Sequence, residues 1–133
     1  MMDFVLPATP DELGVCAFPV RVADEYSNQK VRLYDDGSTK GTGQLLTRLT
    51  NVDDPSKNIL VNISGPGRFY TDSAGVFHFF LKGASLTWVT EGKDTTGTVP
   101  VGLYLRHGSV DYDGDFNLLS YTGSAENLCD ALS

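Results

Sequence analysis

The chain has 133 residues, of which 41% are hydrophobic and 20% are charged. This size and composition fit one folded domain with a single core and exclude a disordered chain. The formal net charge is −7 and the 10 basic residues are scattered along the sequence, which argues against a nucleic-acid binder, because such proteins group Lys and Arg against the phosphates.

The first fifteen residues predict an extended arm outside the folded domain, because they contain two prolines and no hydrophobic periodicity. Five apolar side chains of the arm are predicted to bind a partner: Met1, Met2, Phe4, Val5 and Leu6. The apolar run is short and no basic residue precedes it, so we expect no signal peptide and synthesis in the cytoplasm. No stretch approaches the ~18 apolar residues of a spanning helix, so no membrane contact is predicted.

Ten strands are predicted beyond the arm, because short alternating hydrophobic runs are separated by turn sequences such as Asp35-Asp36-Gly37. Their ranges are 18–24, 29–35, 43–51, 58–64, 67–71, 75–81, 85–90, 100–107, 109–112 and 116–121. In the eighth strand, alternation predicts that Gly102, Tyr104 and Arg106 face the solvent.

The end of the chain predicts a short helix. Ser124 is a candidate cap for a helix over residues 125–132, in which Leu128 and Leu132 share one side at a spacing of four. Cys16 and Cys129 lie 113 residues apart. A disulfide between them and two buried free thiols both remain open from the sequence.

Together these elements predict an all-β fold. The expected architecture is an antiparallel β-sandwich, Ig-like or jelly-roll, over residues 16–133. An extended N-terminal arm over residues 1–15 and a short C-terminal helix complete it.

The sequence VDYDGDF at residues 110–116 has the acidic spacing of a calcium loop. An EF-hand loop needs a glycine at its sixth position and a glutamate at its twelfth, and no register of this stretch supplies both. Asp113-Gly114 instead suits a tight hairpin turn between two strands. We therefore predict a hairpin and no metal site.

Other chemical motifs are weak. GSTKGTG at residues 37–43 lacks the order of a phosphate loop and predicts a hairpin loop. His78 and His107 lie on predicted strands without a triad pattern, so neither catalysis nor a cofactor is predicted. The aromatic residues Trp88, Tyr70, Tyr104, Tyr112 and Tyr121 fit a sugar-stacking platform, but alternation with Leu86 favours a core position for Trp88.

Several short segments resemble small β-rich proteins of actinobacteria and their bacteriophages. The segments are CAFPV at residues 16–20, LTN at 49–51, ILVNISG at 59–65 and LCDAL at 128–132. The bacterial members are exported with a signal peptide, whereas this sequence begins with an apolar, proline-containing arm.

The resemblance implies a structural virion protein of an actinobacteriophage, first of all a capsid decoration protein that binds the capsid surface. The alternatives are a minor tail protein and a glycan-binding or adhesion β-sandwich module. The implied partners are major capsid or tail subunits and further copies of the chain, without nucleic acid or membrane, and the implied location is the virion.

Overall fold

The structure, a computed structural model, describes residues 3–133 and is built mainly of β-strands. In chain order its elements are β1 (Asp3–Leu6), β2 (Val20–Leu33), β3 (Thr39–Asn51), β4 (Asn58–Asn62), β5 (Gly67–Thr71), β6 (Phe77–Leu81), β7 (Ala84–Val89), β8 (Gly102–His107), β9 (Val110–Asp113), β10 (Leu118–Tyr121), β11 (Ser124–Asn127) and α1 (Leu128–Leu132). The prediction of an all-β chain with a short C-terminal helix is confirmed. In this part of the chain, no helix is long and apolar enough to cross a membrane.

The strands form two antiparallel sheets. The long sheet has the order β1-β2-β3-β5-β6-β9-β10, and β4 pairs with β3 beside this path. The short sheet has the order β11-β8-β7. β3 pairs with β5 near its start and with β4 near its end, so two strands share one edge of it.

β2 is one continuous strand where the sequence predicts two, at 18–24 and 29–35. The polar stretch between those ranges stays extended because its backbone pairs with β3, apart from an irregularity between Asp24 and Tyr26. Hydrophobic alternation did not reveal this pairing because the stretch has few apolar side chains.

The short sheet is covered on both faces. Leu86 and Leu103 pack in a cluster with residues of β1–β4, whereas Val89 and Tyr104 pack with residues of β9 and β10. Residues of β1–β4 therefore cover one face of the short sheet, and residues of β9 and β10 cover the other. This arrangement puts the middle of the protein at β7 and β8.

The prediction that one face of β8 is exposed to solvent is wrong. Gly102, Tyr104 and Arg106 are buried, and the Arg106 guanidinium lies 4.5 Å from the ring centre of Tyr121. Alternation within a strand distinguishes its two faces. Alternation does not show that other strands cover the face of β8 that carries the polar side chain of Arg106.

The N-terminal segment is not a free arm where the structure describes it. β1 pairs with residues 20–23 of β2, and Leu6 and Val15 are buried in the same core cluster. Ala8 also forms an isolated bridge with Cys16. The prolines excluded a helix but not a short edge strand, which needs few backbone hydrogen bonds.

The C-terminal helix begins later than predicted. Ser124 lies in β11, which pairs with β8, and Asn127 is the actual cap because its side chain accepts a hydrogen bond from the backbone N–H of Cys129. Leu128 and Leu132 are both buried, as their spacing predicts. The helix carries Cys129 to Cys16, and the two form a disulfide.

Candidate functional site

The predicted partner-binding residues of the arm have unequal surroundings. The Phe4 ring lies 5.7 Å from that of Trp88 and packs on the core, and Leu6 is buried. Val5 is exposed. Met1 and Met2 lie outside the described residues. Of the three described residues, only Val5 therefore offers an apolar side chain to a partner.

The VDYDGDF stretch forms the predicted hairpin between β9 and β10, but with a four-residue loop in place of a two-residue turn. The Asp113 carboxylate accepts hydrogen bonds from the backbone N–H groups of Asp115 and Asn117 and from the Asn117 side chain. Those bonds, the Asn117 side chain first, lower the pKa of Asp113. Within residues 3–133, no group of three or more His, Cys, Asp or Glu side chains is placed to hold a metal ion.

His78 is held between two carboxylates. Its Nε2 lies 2.7 Å from Asp72 Oδ2, and its Nδ1 lies 2.9 Å from Asp111 Oδ1. The Tyr70 ring stacks on the imidazole at 4.8 Å. Only the imidazolium carries an N–H on both nitrogens, so this geometry favours the charged form. With both nitrogens engaged, His78 has the surroundings of a structural cross-link between β6, β9 and the turn at Asp72 and not those of a general base.

This cross-link predicts a pH-dependent stability. The hydrogen bond to Asp72, and then that to Asp111, raises the pKa of His78 above its usual 6.5. A group with a raised folded-state pKa contributes its full stability below the unfolded pKa and loses it as the pH rises through the folded value. Urea unfolding should therefore show wild type losing stability relative to His78→Gln as the pH increases above 6.5.

The matched control is His107→Gln, because His107 is exposed and is the second of the two histidines. This variant should keep the wild-type pH dependence. A difference between wild type and His78→Gln that stays constant across this pH range would contradict the cross-link.

The alternative of a sugar-stacking platform is not supported by the placement of these aromatic residues. Tyr104 and Tyr112 are buried, Trp88 is partly buried against the core, and Tyr70 stacks on His78. The side chains are on different faces of different strands. The interpretation of Trp88 as a core residue agrees with this placement.

The most exposed large apolar side chains lie on the outer half of the β2–β3 hairpin, which we call the ribbon (residues 25–33 and 39–46). Val31 is 71% exposed and Leu33 is 74% exposed. β1 pairs with β2 only as far as Ala23, and no other described strand continues along that edge. An unpaired strand edge with apolar side chains is a template for a further strand.

An apolar cleft lies between the two sheets, and one part of it adjoins the ribbon at Val31, Gly41 and Leu45. It consists of two cavities of about 210 Å³ each, which share Phe69, Leu81 and Leu86 in their walls. One opens beside Val31 and the other beside Phe116, which is 60% exposed. The cavity beside Val31 adjoins the ribbon, so an apolar segment lying on the ribbon would reach this part of the cleft.

Sequence reasoning did not identify this surface. Val31 and Leu33 alternate with Lys30 and Arg32, which is a normal half-buried strand pattern. Whether the apolar side of such a strand is covered depends on how strands distant in the sequence pack, and the strand's own sequence does not show it.

Comparison with known proteins gives no match to a family model, a curated protein or a solved structure. The resemblance to actinobacterial and phage proteins therefore stays a prediction.

Proposed function

We propose that the chain is a structural protein of an actinobacteriophage particle, built on a β-sandwich of Ig-like or jelly-roll type and acting first of all as a capsid decoration protein. In this proposal the protein acts by binding other subunits and not by catalysis. The observation that carries the proposal is the ribbon, whose free edge and exposed apolar side chains fit pairing with a strand of a neighbouring shell subunit.

The mode of attachment differs from the one that the sequence suggests. Because β1 is part of the long sheet, a free arm over residues 1–15 no longer supports the proposal. Deleting those residues would also remove Leu6 and Val15 from the core, so loss of assembly would not distinguish binding from folding. The proposed attachment is therefore through the ribbon.

The energy available at the ribbon is adequate for a repeated contact. Full burial of a Val or Leu side chain contributes about 2 kcal/mol. Main-chain hydrogen bonds along the edge of β2 add specificity for a strand. A particle repeats each contact by symmetry, so modest individual affinities are sufficient.

The disulfide also supports a location outside the cytoplasm. Disulfides persist in oxidising surroundings, and the surfaces of particles released by lysis are exposed to them. Cys16 and Cys129 join the two ends of the described chain, which suits a protein that must survive outside the cell.

The test uses particles purified from a culture that carries the gene. Mass spectrometry should detect the wild-type chain in many copies relative to the major shell protein, and electron microscopy should locate it on the capsid. Location on the tail would favour the minor tail alternative. Complete absence from the particles would overturn the proposed function.

The ribbon itself is tested by the double variant Val31→Lys and Leu33→Lys. Two charges on the edge oppose strand addition, so we expect incorporation into particles to fall at least about tenfold, corresponding to 1.4 kcal/mol or more. The control is Val52→Lys with Val76→Lys, at exposed positions away from the ribbon. If wild type is present and the ribbon variant is incorporated equally well, the ribbon is not the binding surface.

A further inference from the structure

The long sheet gathers basic residues that the sequence scatters. On the face of the ribbon opposite Val31 and Leu33, Arg32 of β2 pairs with Lys40 of β3, and Lys40 pairs with Arg68 of β5. Lys30 lies two residues before Arg32, and Lys82 lies two residues after Phe80, which pairs with Arg68, so both are on the same face. We call these five residues the basic face: Lys30, Arg32, Lys40, Arg68 and Lys82. All five are exposed, and they are half of the ten Lys and Arg residues of an acidic chain.

The basic face forms no salt bridge with the described acidic residues, and Asp36 is the one carboxylate in the wall of its groove. Among residues 3–133, the salt bridges of Arg and Lys are Arg21 with Asp3 and Arg48 with Glu25, and neither involves a member of this face. Like charges directly opposite on neighbouring strands destabilise a sheet. A sheet that keeps Arg32, Lys40 and Arg68 side by side therefore carries a cost that an anionic ligand would relieve.

Aromatic rings alternate with the cations. The Arg32 guanidinium lies 5.3 Å from the ring centre of Tyr34, and that of Arg68 lies 5.0 Å from the ring centre of Tyr70. Lys82 Nζ lies 5.5 Å from the ring centre of Phe80. These contacts hold the long basic side chains over flat apolar surfaces, which reduces the entropy they lose when a ligand binds.

A groove runs through the basic face. It has a volume of about 430 Å³ and is lined by Tyr34, Asp36, Ser38, Lys40, Arg68 and Phe80 among others. This volume lies in the range of roughly 300–1,000 Å³ that is usual for small-ligand sites. The groove thus offers cations, aromatic surface and hydroxyl or carboxylate acceptors within one concave site.

Asp36 narrows the choice of ligand. Its Oδ1 accepts hydrogen bonds from the Ser38 hydroxyl at 2.6 Å and from the Ser38 backbone N–H at 2.9 Å. These bonds, the hydroxyl first, lower the pKa of Asp36, and the charge of Arg68 lowers it further. An ionised carboxylate in the groove repels a continuous phosphate backbone but accepts hydrogen bonds from sugar hydroxyls.

The extent of the face favours a short anionic segment. From β2 to the end of β6 the cations span three strand spacings, or about 14 Å. Beyond Phe80, the next positions on this face are Asp111, which bonds to His78, and Asp113, so the row of cations ends and the surface becomes acidic at β9. A long polyanion would meet this acidic border, whereas a few sugar units would not.

We propose that the groove of the basic face binds an anionic glycan, whose sugar rings pack on Tyr34 and Phe80 while its carboxylate or phosphate groups pair with Lys40 and Arg68. This site does not depend on the proposed function, because it lies on the opposite face of the ribbon from Val31 and Leu33 and uses other residues.

The test is calorimetric titration of the purified full-length chain with oligogalacturonate and with a phosphorylated oligomannoside, which supply the two anionic groups. Neutral maltohexaose and an oligothymidylate are the comparison ligands. We expect binding to at least one acidic glycan, weakened by added salt, and weaker or no binding to the comparison ligands.

The variant Lys40→Gln with Arg68→Gln should weaken binding of the acidic glycan at least about tenfold. Both positions are exposed, so its melting temperature should change little. Lys57→Gln, an exposed basic residue away from the groove, should leave binding unchanged and serves as the control. No binding to either acidic glycan, tighter binding to the oligothymidylate, or full binding by the double variant would overturn the inference. Particle incorporation is measured separately, so either proposal can fail alone.

Discussion

The double variant Cys16→Ala and Cys129→Ala will lose about 4.7 kcal/mol of unfolding free energy on the chain-entropy model. The disulfide closes a loop across 113 residues of a 133-residue chain, so it constrains nearly the whole unfolded chain. It also fixes α1 against the segment before β2, where Cys16 is 3% exposed. Urea unfolding under oxidising conditions, compared with wild type, measures the loss.

Reduction provides the control for this prediction. Wild type treated with dithiothreitol should lose a similar amount, whereas the double variant should be insensitive to the reductant. A double variant as stable as oxidised wild type would show that the bond contributes nothing to stability.

Leu103→Ala will lose about 3 kcal/mol, within the range measured for Leu truncations in protein cores. Leu103 is fully buried on β8 and pairs across the short sheet with Trp88. Truncation to Ala removes the buried methyl groups that Leu103 contributes to this core cluster. Thermal and urea unfolding should both report the loss.

The control for this prediction is Val101→Ala, two residues before Leu103. Val101 is 40% exposed, so its truncation should change stability by less than about 0.5 kcal/mol. If Leu103→Ala costs no more than Val101→Ala, the short sheet does not form the middle of the protein.

The two proposed surfaces use opposite faces of the same strands. The apolar side of the ribbon, with Val31 and Leu33, faces the cleft, and the side with Arg32 and Lys40 lies over the groove. A neighbouring strand added to the edge of β2 would extend the long sheet without covering the groove. Attachment to a particle and binding of a glycan are thus compatible on one molecule.

The hairpin around Asp113 shows how far local sequence determined local structure. Asp113 followed by Gly114 predicted a turn, and the turn is present because the Asp113 carboxylate caps the backbone N–H groups that follow it. Phe116 has a positive φ of 61° and lies in the loop instead of pairing on a strand. The observed loop is therefore longer than the predicted turn.

The strands themselves were largely determined by the sequence, because a period of two and the turn residues between runs are local properties. Which other strands cover each face of a strand is not a local property of the sequence. Arg106 is polar and alternates with apolar residues, yet it is buried because β9 and β10 fold over β8. Phe4 and Leu6 are apolar at the start of the chain, yet they pack into the core of their own molecule.

The candidate sites depend on the same distinction. The sequence supplied exposed apolar residues on β2 and scattered basic residues on four segments. Only the pairing of β2, β3, β5 and β6 places Arg32, Lys40 and Arg68 in one row. Beyond Ala23, one edge of β2 has no neighbour among the described strands. Strand pairing joins residues far apart in the chain, and side-chain periodicity within one strand carries no information about which strand lies beside it.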